Sequence, residues 1–405
     1  MHSTFPTVLS LLIGAALLTV GNALLGTLVS VRMAIEGFPR VVSGVVMSAY
    51  FAGFILGSIY AFRVIDRVGH IRAFAAFAAT AGAAATAQAL VISPLPWIAL
   101  RAAVGFAIAG ELIVAESWLN STAIAANRGR VFSQYMIAIY LAFGVGQFAL
   151  ALGDPAGLEL FLLVTFFLSA SILPIVLTRT TAPLMPPTPR LRIRRIYEVA
   201  PLGLVGALVA GVAVGAVQSI GPQFASGLGL SVPRISSFMG TFFLSGLLLQ
   251  WPVGHLSDRM DRRRVLAGMA LLTVLAFATI AVIEDRSFAL LIGLAVVGGG
   301  SVATLYPLSV AHANDCLREE SVVAITAGLL LAYGLGAIAG PILATTVMVG
   351  LGAPGLFYGA AVPCMVLAGY AAFRIYKHAP VEQDRYAPVA QTTPAVLELD
   401  PRARR

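Results

Sequence analysis

The sequence predicts an all-α polytopic membrane protein: twelve transmembrane helices in two pseudo-symmetric six-helix bundles. Three observations carry that fold class. The chain of 405 residues is 59% hydrophobic and 11% charged, with a mean hydropathy of +0.91, whereas a soluble protein carries about 25% charged residues. Its apolar residues fall in runs near the ~20 residues that a helix needs to cross a bilayer. Two stretches of the chain also repeat each other at a fixed offset.

A surface so poor in charge excludes a soluble enzyme, a nucleic-acid-binding domain, a disulfide scaffold and a disordered chain. Cys316 and Cys364 are the only cysteines. They give no disulfide framework and read as small packing residues. A net charge of +8 and a pI near 9.9 would suit a nucleic-acid partner. The basic residues, however, lie in short segments between apolar runs, which is the pattern of membrane orientation. No nucleic acid is expected.

Span 1 covers 7–30. No basic segment precedes it and it exceeds the ~7–15 apolar residues of a signal peptide, so it reads as a membrane helix. Spans 2 (41–61) and 3 (73–92) flank a charged loop. Span 4 (97–118) enters at Trp97 and carries three charges, and span 5 (131–152) follows Arg128 and Arg130. Span 6 (158–177) closes an N-terminal bundle, 1–177. A cytoplasmic linker, 178–198, holds Pro183, Pro186, Pro187 and Pro189, then Arg190, Arg192, Arg194 and Arg195. Its basic strip reads as anchoring on the inner side rather than as a site for anionic lipid. Spans 7 (199–220), 8 (234–254), 9 (265–283), 10 (288–311), 11 (321–349) and 12 (353–373) form the C-terminal bundle, 199–373. The rest, 374–405, has Pro380, Pro388, Pro394 and Pro401 and reads as a disordered cytoplasmic tail. Each span must be a helix, because backbone groups in lipid have to be satisfied within the segment.

With both termini cytoplasmic, 21 of the 26 Lys and Arg residues fall on the inner side. Only Arg32, Arg40, Arg234 and Arg286 fall outside, and Arg101 lies within span 4. That bias sets the expected topology: a multi-pass protein of the plasma membrane with both ends inside.

The internal repeat lies in two charged loops. The first reads Asp66-Arg67-Val68-Gly69-His70-Ile71-Arg72, the second Gly254-His255-Leu256-Ser257-Asp258-Arg259-Met260-Asp261-Arg262-Arg263. Asp66 and Asp258 are 192 residues apart, and the same offset sets Gly144 of span 5 on Gly336 of span 11. Two parallel six-helix halves are a transporter pattern.

On these residues the chain resembles the major facilitator superfamily. The two loops look like its Gly-x-x-x-Asp-Arg-x-Gly-Arg-Arg motif, with Phe62 in place of the leading glycine and Asp261 in place of the inner one. Leu100-Arg101-Ala102-Ala103-Val104-Gly105 resembles its Arg-x-x-x-Gly motif in span 4. Asn127-Arg128-Gly129-Arg130, Gln250-Trp251-Pro252-Val253-Gly254 and Thr304-Leu305-Tyr306-Pro307 look like the YcaD-like branch of bacterial transporters. The resemblance covers nearly the whole chain and implies a bacterial inner-membrane transporter without naming its cargo. Gly336-x-x-x-Gly340-Pro341 is similar to the antiporter motif of the family, but that motif belongs in span 5, so direction stays open.

The runs Gly144-Val145-Gly146-Gln147-Phe148-Ala149 and Gly334-Leu335-Gly336-Ala337-Ile338-Ala339 fit a dinucleotide fingerprint only formally. Neither follows a strand, and close helix packing through small residues explains both. No nucleophile–base, metal-ligand or phosphate-loop pattern occurs. The sequence is therefore read as non-enzymatic, without metal or cofactor.

An ionisable residue inside a span costs about 2.5–3.5 kcal/mol on insertion scales and needs a partner or water. Span 4 holds three. Arg101 and Glu111 are ten residues apart, about 15 Å of rise, too far to pair. Glu111, near mid-membrane, is the candidate for proton or substrate binding. Arg101 either snorkels outward, braces neighbouring spans or joins the site. Glu116, near the inner face, is expected to bridge Arg67 or Arg72. Asn22, Tyr50, Tyr140, Gln218, Tyr306 and Tyr333 are candidates to complete a central cavity. The resemblance implies that spans 1, 4, 7 and 10 line it, which favours Asn22, Glu111, Gln218 and Tyr306. It also implies a cytoplasmic gate of Asp66, Arg67, Arg72, Glu116, Arg130, Asp258, Arg259 and Arg262. There Asp66 approaches span 11 near Glu319, Glu320 and Ser321, and Asp258 approaches span 5 near Arg130.

So short a charged inventory disfavours a phosphate ester. The expectation is a monomeric secondary transporter in the lipid bilayer, coupled to protons. Its partner is a small hydrophobic or amphipathic molecule, moved by alternating access. A proton-linked importer of a polar metabolite is the alternative within the class, and a non-transporting sensor or scaffold the alternative outside it.

Overall fold

A computed structural model describes residues 4–122, 128–177, 193–283, 287–317, 322–377, 379 and 393. Residues 178–192 of the expected linker, the 318–321 segment with Glu319 and Glu320, and most of the tail beyond Lys377 lie outside the described residues. All regular structure among the described residues is helical. The helices are α1 (Thr4–Ile35), α2 (Arg40–Val68), α3 (His70–Leu90), α4 (Pro94–Thr122), α5 (Arg128–Phe148), α6 (Glu159–Ala170) and α7 (Ile172–Val176). They continue as α8 (Ile193–Val199), α9 (Pro201–Gly227), α10 (Val232–Arg259), α11 (Arg262–Val282), α12 (Phe288–Cys316), α13 (Val322–Leu351) and α14 (Gly355–Lys377).

Among the described residues twelve segments are long and apolar enough to cross a membrane, and each overlaps one span read from the sequence. The sixth, Glu159–Val176, is made jointly by α6 and α7. They part at Ser171, because Pro174 has no N–H and its ring crowds the carbonyl four residues back. Short α8 lies in the stretch read as linker, with Ile196 buried; a Cβ on Gly328 of α13 would lie 2.6 Å from its Cδ1.

The charged loops read from the sequence are mostly helix. α2 continues through Asp66 and Arg67 to Val68, and Gly69 alone separates it from α3. Gly69 has φ of +85°, a conformation that glycine adopts without steric cost. Its N–H donates to the carbonyl of Ile65 (2.8 Å), closing the last turn of α2. In the same way Asp258 and Arg259 end α10, and Asp261 caps α11 by accepting the N–H of Arg263. A helix leaving the lipid has no need to stop at the headgroups, so hydropathy ends the span before the helix ends.

The chain divides into two compact units. One comprises 1–38, 49–188 and 392–405, the other 39–48 and 189–391. The start of α2 is counted with the second unit, where Ser48 Oγ donates to the carbonyl of Ile338 (2.6 Å).

In the first unit α1 packs on α5 and α6, and α3 packs on α4 and α6. In the second, α9 packs on α13, α10 on α12, and α11 on α12 and α14. Lipid tails are as apolar as the side chains, so these contacts depend on close approach. Glycines supply it. A Cβ on Gly53 would lie 1.9 Å from the carbonyl oxygen of Ala102, and one on Gly105 2.0 Å from that of Tyr50, at the α2–α4 crossing. The α9–α13 crossing uses Gly211 and Gly215 against Gly336 and Gly340, with a Cβ on Gly336 falling 2.0 Å from the carbonyl oxygen of Leu208. The fingerprint-like run in α13 is thus a packing surface. Gly146 plays that part in α5, where its Cβ would lie 2.5 Å from the carbonyl oxygen of Val20 in α1.

Candidate functional site

α4 is apolar around almost its whole circumference, the pattern of an interior helix. From Val104 to Asn120 every residue but Phe106 is buried. Its three charges are therefore held inside the first unit. Glu111 is 0% exposed, and neither carboxyl oxygen has a hydrogen-bond partner among the described residues. Arg101 is 2% exposed, with Nε and Nη1 likewise unpartnered. Its guanidinium carbon lies 4.7 Å from the centroid of the Tyr50 ring. The hydroxyl of Tyr50 accepts a hydrogen bond from Asn22 Nδ2 (2.9 Å). Three expected site residues, Asn22, Tyr50 and Arg101, from α1, α2 and α4, are thus brought into one neighbourhood. Tyr140 of α5 is half-buried.

In the second unit Tyr306 is fully buried, its hydroxyl without a partner among the described residues. Tyr333 meets it edge to face, with ring centroids 5.1 Å apart. Gln218 of α9 is half-buried. Gln223, five residues further on, is buried with Nε2 unpartnered; an amide near the end of a span looks ordinary in sequence.

At the α2–α3 turn and the start of α5, Asp66, Arg67, Arg72 and Arg130 are exposed. The described partners of the Glu116 carboxylate are other groups than the arginines expected for it: it accepts from the hydroxyls of Tyr135 (2.5 Å) and Thr393. A buried carboxylate takes nearby hydroxyl donors, while Arg67 at the end of α2 and Arg72 at the start of α3 are exposed and keep their solvation. Arg262, expected in a gate, is 1% exposed and committed within its own unit. Its Nε donates to Asp315 Oδ2 (2.6 Å) and its Nη1 to Ser257 Oγ (3.1 Å). Asp258 stands 3.5 Å from its Nη2, and Arg259 is exposed. Asp315 was missed because a single acid at the end of a span carries no sequence signal. Asp261 is gripped by Arg263 (2.7 Å). Burial pushes its carboxyl up, but the hydrogen bonds from Arg263 outweigh this and hold it below the ordinary aspartate value. Among the described residues no group of three His, Cys, Asp or Glu is placed to hold a metal.

Twelve apolar helices in two units, with ionisable groups buried inside the spans, define a multi-pass helical membrane protein. The family model described as Major Facilitator Superfamily matches residues 203–399. An uncharacterized MFS-type transporter YcaD of Escherichia coli strain 536 is 31% identical over 338 residues, 82% of this chain and 87% of the relative. One of the same name from Salmonella enteritidis PT4 is 29% identical over 343 residues, 84% of this chain and 88% of the relative. The chain belongs to the major facilitator superfamily of transporters. Its fold is similar to that of the nucleoside transporter NupG, with a TM-score of 0.78 at 15% identity over 92% of this chain and 100% of that one. It is also similar to a D-xylose–proton symporter, with a TM-score of 0.66 at 15% identity over 93% of this chain and 98% of that one.

Proposed function

We propose that this protein is a proton-coupled secondary transporter that moves a small hydrophobic or amphipathic molecule by alternating access, with Glu111 as the coupling residue. The observation that carries the reading is the Glu111 carboxyl, fully buried in α4 with both oxygens unpartnered. A fixed, unpaired charge there costs several kcal/mol, whereas a carboxyl that gains and loses a proton as water reaches it does not. A protein that only braced a membrane complex would have no use for such a group. That a D-xylose–proton symporter shares the fold is compatible with proton coupling. The protein acts as a monomer in the inner membrane, both termini in the cytoplasm. Asp66, Arg67, Arg72, Asp258 and Arg259, all exposed near the cytoplasmic ends, act in gating. Asp258 is the stronger side of that gate, so replacing it with Asn raises the cytoplasmic accessibility of cysteines placed along α4 more than Asp66→Asn does; equal effects exclude this asymmetry.

Carbodiimide labelling tests the coupling role without a known cargo. In liposomes the reagent modifies Glu111 and its uptake rises as pH falls, because it reacts with the protonated carboxyl. Glu111→Gln abolishes this labelling and, in a solute screen under an imposed proton gradient, abolishes accumulation while sparing exchange. A Gln variant that still concentrates solute excludes Glu111 as the coupling site.

A further inference from the structure

We infer that Arg101, Tyr50 and Asn22 form a subsite for a carboxylate, so that the cargo is an amphipathic monocarboxylic acid. The inference rests on the transporter reading above and narrows its substrate class.

A fully buried arginine is normally found with an anion. Arg101 has none: Glu111 is ten residues away on the same helix, and its own oxygens are unpartnered. What Arg101 does have is the face of Tyr50, 4.7 Å away. That contact fixes the guanidinium plane by its charge and leaves the in-plane N–H fork unspent. Nε and Nη1 are buried without a partner among the described residues. Each belongs to a different edge of the fork, Nε with Nη2 and Nη1 with Nη2, and either edge matches the two oxygens of a carboxylate. Tyr50 adds to this. Its hydroxyl oxygen accepts from Asn22 (2.9 Å), so its own proton remains to be donated. Three helices of one unit therefore converge on a single acceptor-rich group.

Charge limits the choice further. Arg101 is the only buried Lys or Arg within the spans of the first unit among the described residues. A phosphate dianion would stay half-uncompensated, a cation would be repelled, and a neutral molecule would leave the fork unsatisfied. The rings of Phe51 and Phe54 lie 5.3 and 6.1 Å from that of Tyr50, which suits an apolar body behind the carboxylate. Glu111 completes the balance. With its proton on, Arg101 and a bound carboxylate sum to zero. With its proton off, Glu111 adds a second negative charge to the same unit, which disfavours the bound anion. One proton then travels with one anion, and no net charge crosses.

The test is binding to the full chain in lipid nanodiscs, with octanoate and benzoate as probes and octanamide, benzamide and octylamine as controls. The acids raise the melting temperature, and the amides and the amine do not. Arg101→Gln abolishes the response, and Arg101→Lys, which keeps charge but not the fork, weakens affinity by about tenfold or more. Should the Arg101 variants fail to fold, Tyr50→Phe and Asn22→Ala carry the test: both weaken octanoate and leave the amides unchanged. Stabilisation by amides or amine equal to that by the acids overturns the inference, as does undiminished octanoate binding in Arg101→Lys and Tyr50→Phe. Carbodiimide labelling separates the two readings. Labelled Glu111 with no acid binding removes the subsite alone, and acid binding with an unlabelled Glu111 removes the proton coupling.

Discussion

A charge within an apolar run is conspicuous in a sequence, and this decided which residues could be read in advance. Arg101, Glu111 and Glu116 stand out in span 4, and all three are buried in α4. Their partners were less legible. Tyr135 and Thr393 on Glu116 lie 19 and 277 residues away, and neither residue type announces a role. Asp315 is the sharpest case. Its pair with Arg262 leaves the two side chains 4% and 1% exposed, yet in sequence it is one acid at the end of a span. Removing one partner of a buried pair leaves an uncompensated charge, at a cost of about 3–5 kcal/mol. Asp315→Asn therefore lowers the unfolding temperature in detergent markedly. Asp258→Asn does so far less, because Asp258 is 30% exposed at 3.5 Å and such pairs are worth about 1 kcal/mol or less. Equal shifts from the two variants show that Arg262 is not anchored through Asp315.

The existence of each helix was plain in the hydropathy, but the ends were not. Capping and helix continuation in water depend on single residues, to which an apolar average is blind. Asp261 shows this: read as a departure from a motif, it is the N-cap of α11. Hydrogen bonds from Arg263 hold its carboxyl below the ordinary value. A group so lowered contributes stability that is present above the ordinary aspartate range and is lost as pH falls through its folded value. The wild type thus loses melting temperature on acidification below about pH 4, and Asp261→Ala removes that contribution along with a cap worth about 1 kcal/mol. An unchanged acid profile in the variant assigns the acid sensitivity to other carboxylates. Glycine spacing was legible as packing, though not which glycine meets which backbone. A Cβ at Gly336 would strike the Leu208 carbonyl, while one at Gly268 meets no atom within 4 Å. Gly336→Ala forces α9 and α13 apart and destabilises by about 1–3 kcal/mol. Gly268→Ala is neutral or stabilising by up to about 1 kcal/mol. Thermal melts of the two variants decide the matter.

At the scale of the molecule, the repeat read from two charged loops recurs in how each unit packs. Gly105 of α4 lies against the Tyr50 carbonyl of α2, and Gly299 of α12 against the Phe242 carbonyl of α10. Gly146 meets Val20 in the first unit as Gly336 meets Leu208 in the second. The sequence offset had paired Gly144 with Gly336. The same offset sets Val20 on Val212, whose carbonyl is met by Gly340, while Gly146 falls on Ile338, so the contact glycine stands two residues further along in the second unit. What hydropathy and packing leave open is direction, since a span is equally apolar read either way. Direction is set at insertion by Lys and Arg, which are held on the cytoplasmic side. With 21 such residues on one side and 4 on the other, the expected topology puts Arg67 and Arg72 on the cytoplasmic side and Glu36 and Asp154 on the outer side. Both native cysteines, Cys316 and Cys364, are unbridged and are first replaced by Ser and Ala. In that background, single cysteines at Glu36 and Asp154 react with an impermeant maleimide in intact cells. One at Arg72 reacts only after the membrane is opened. Since all three positions are exposed, differences in labelling report sidedness rather than burial, and the reverse pattern inverts the topology.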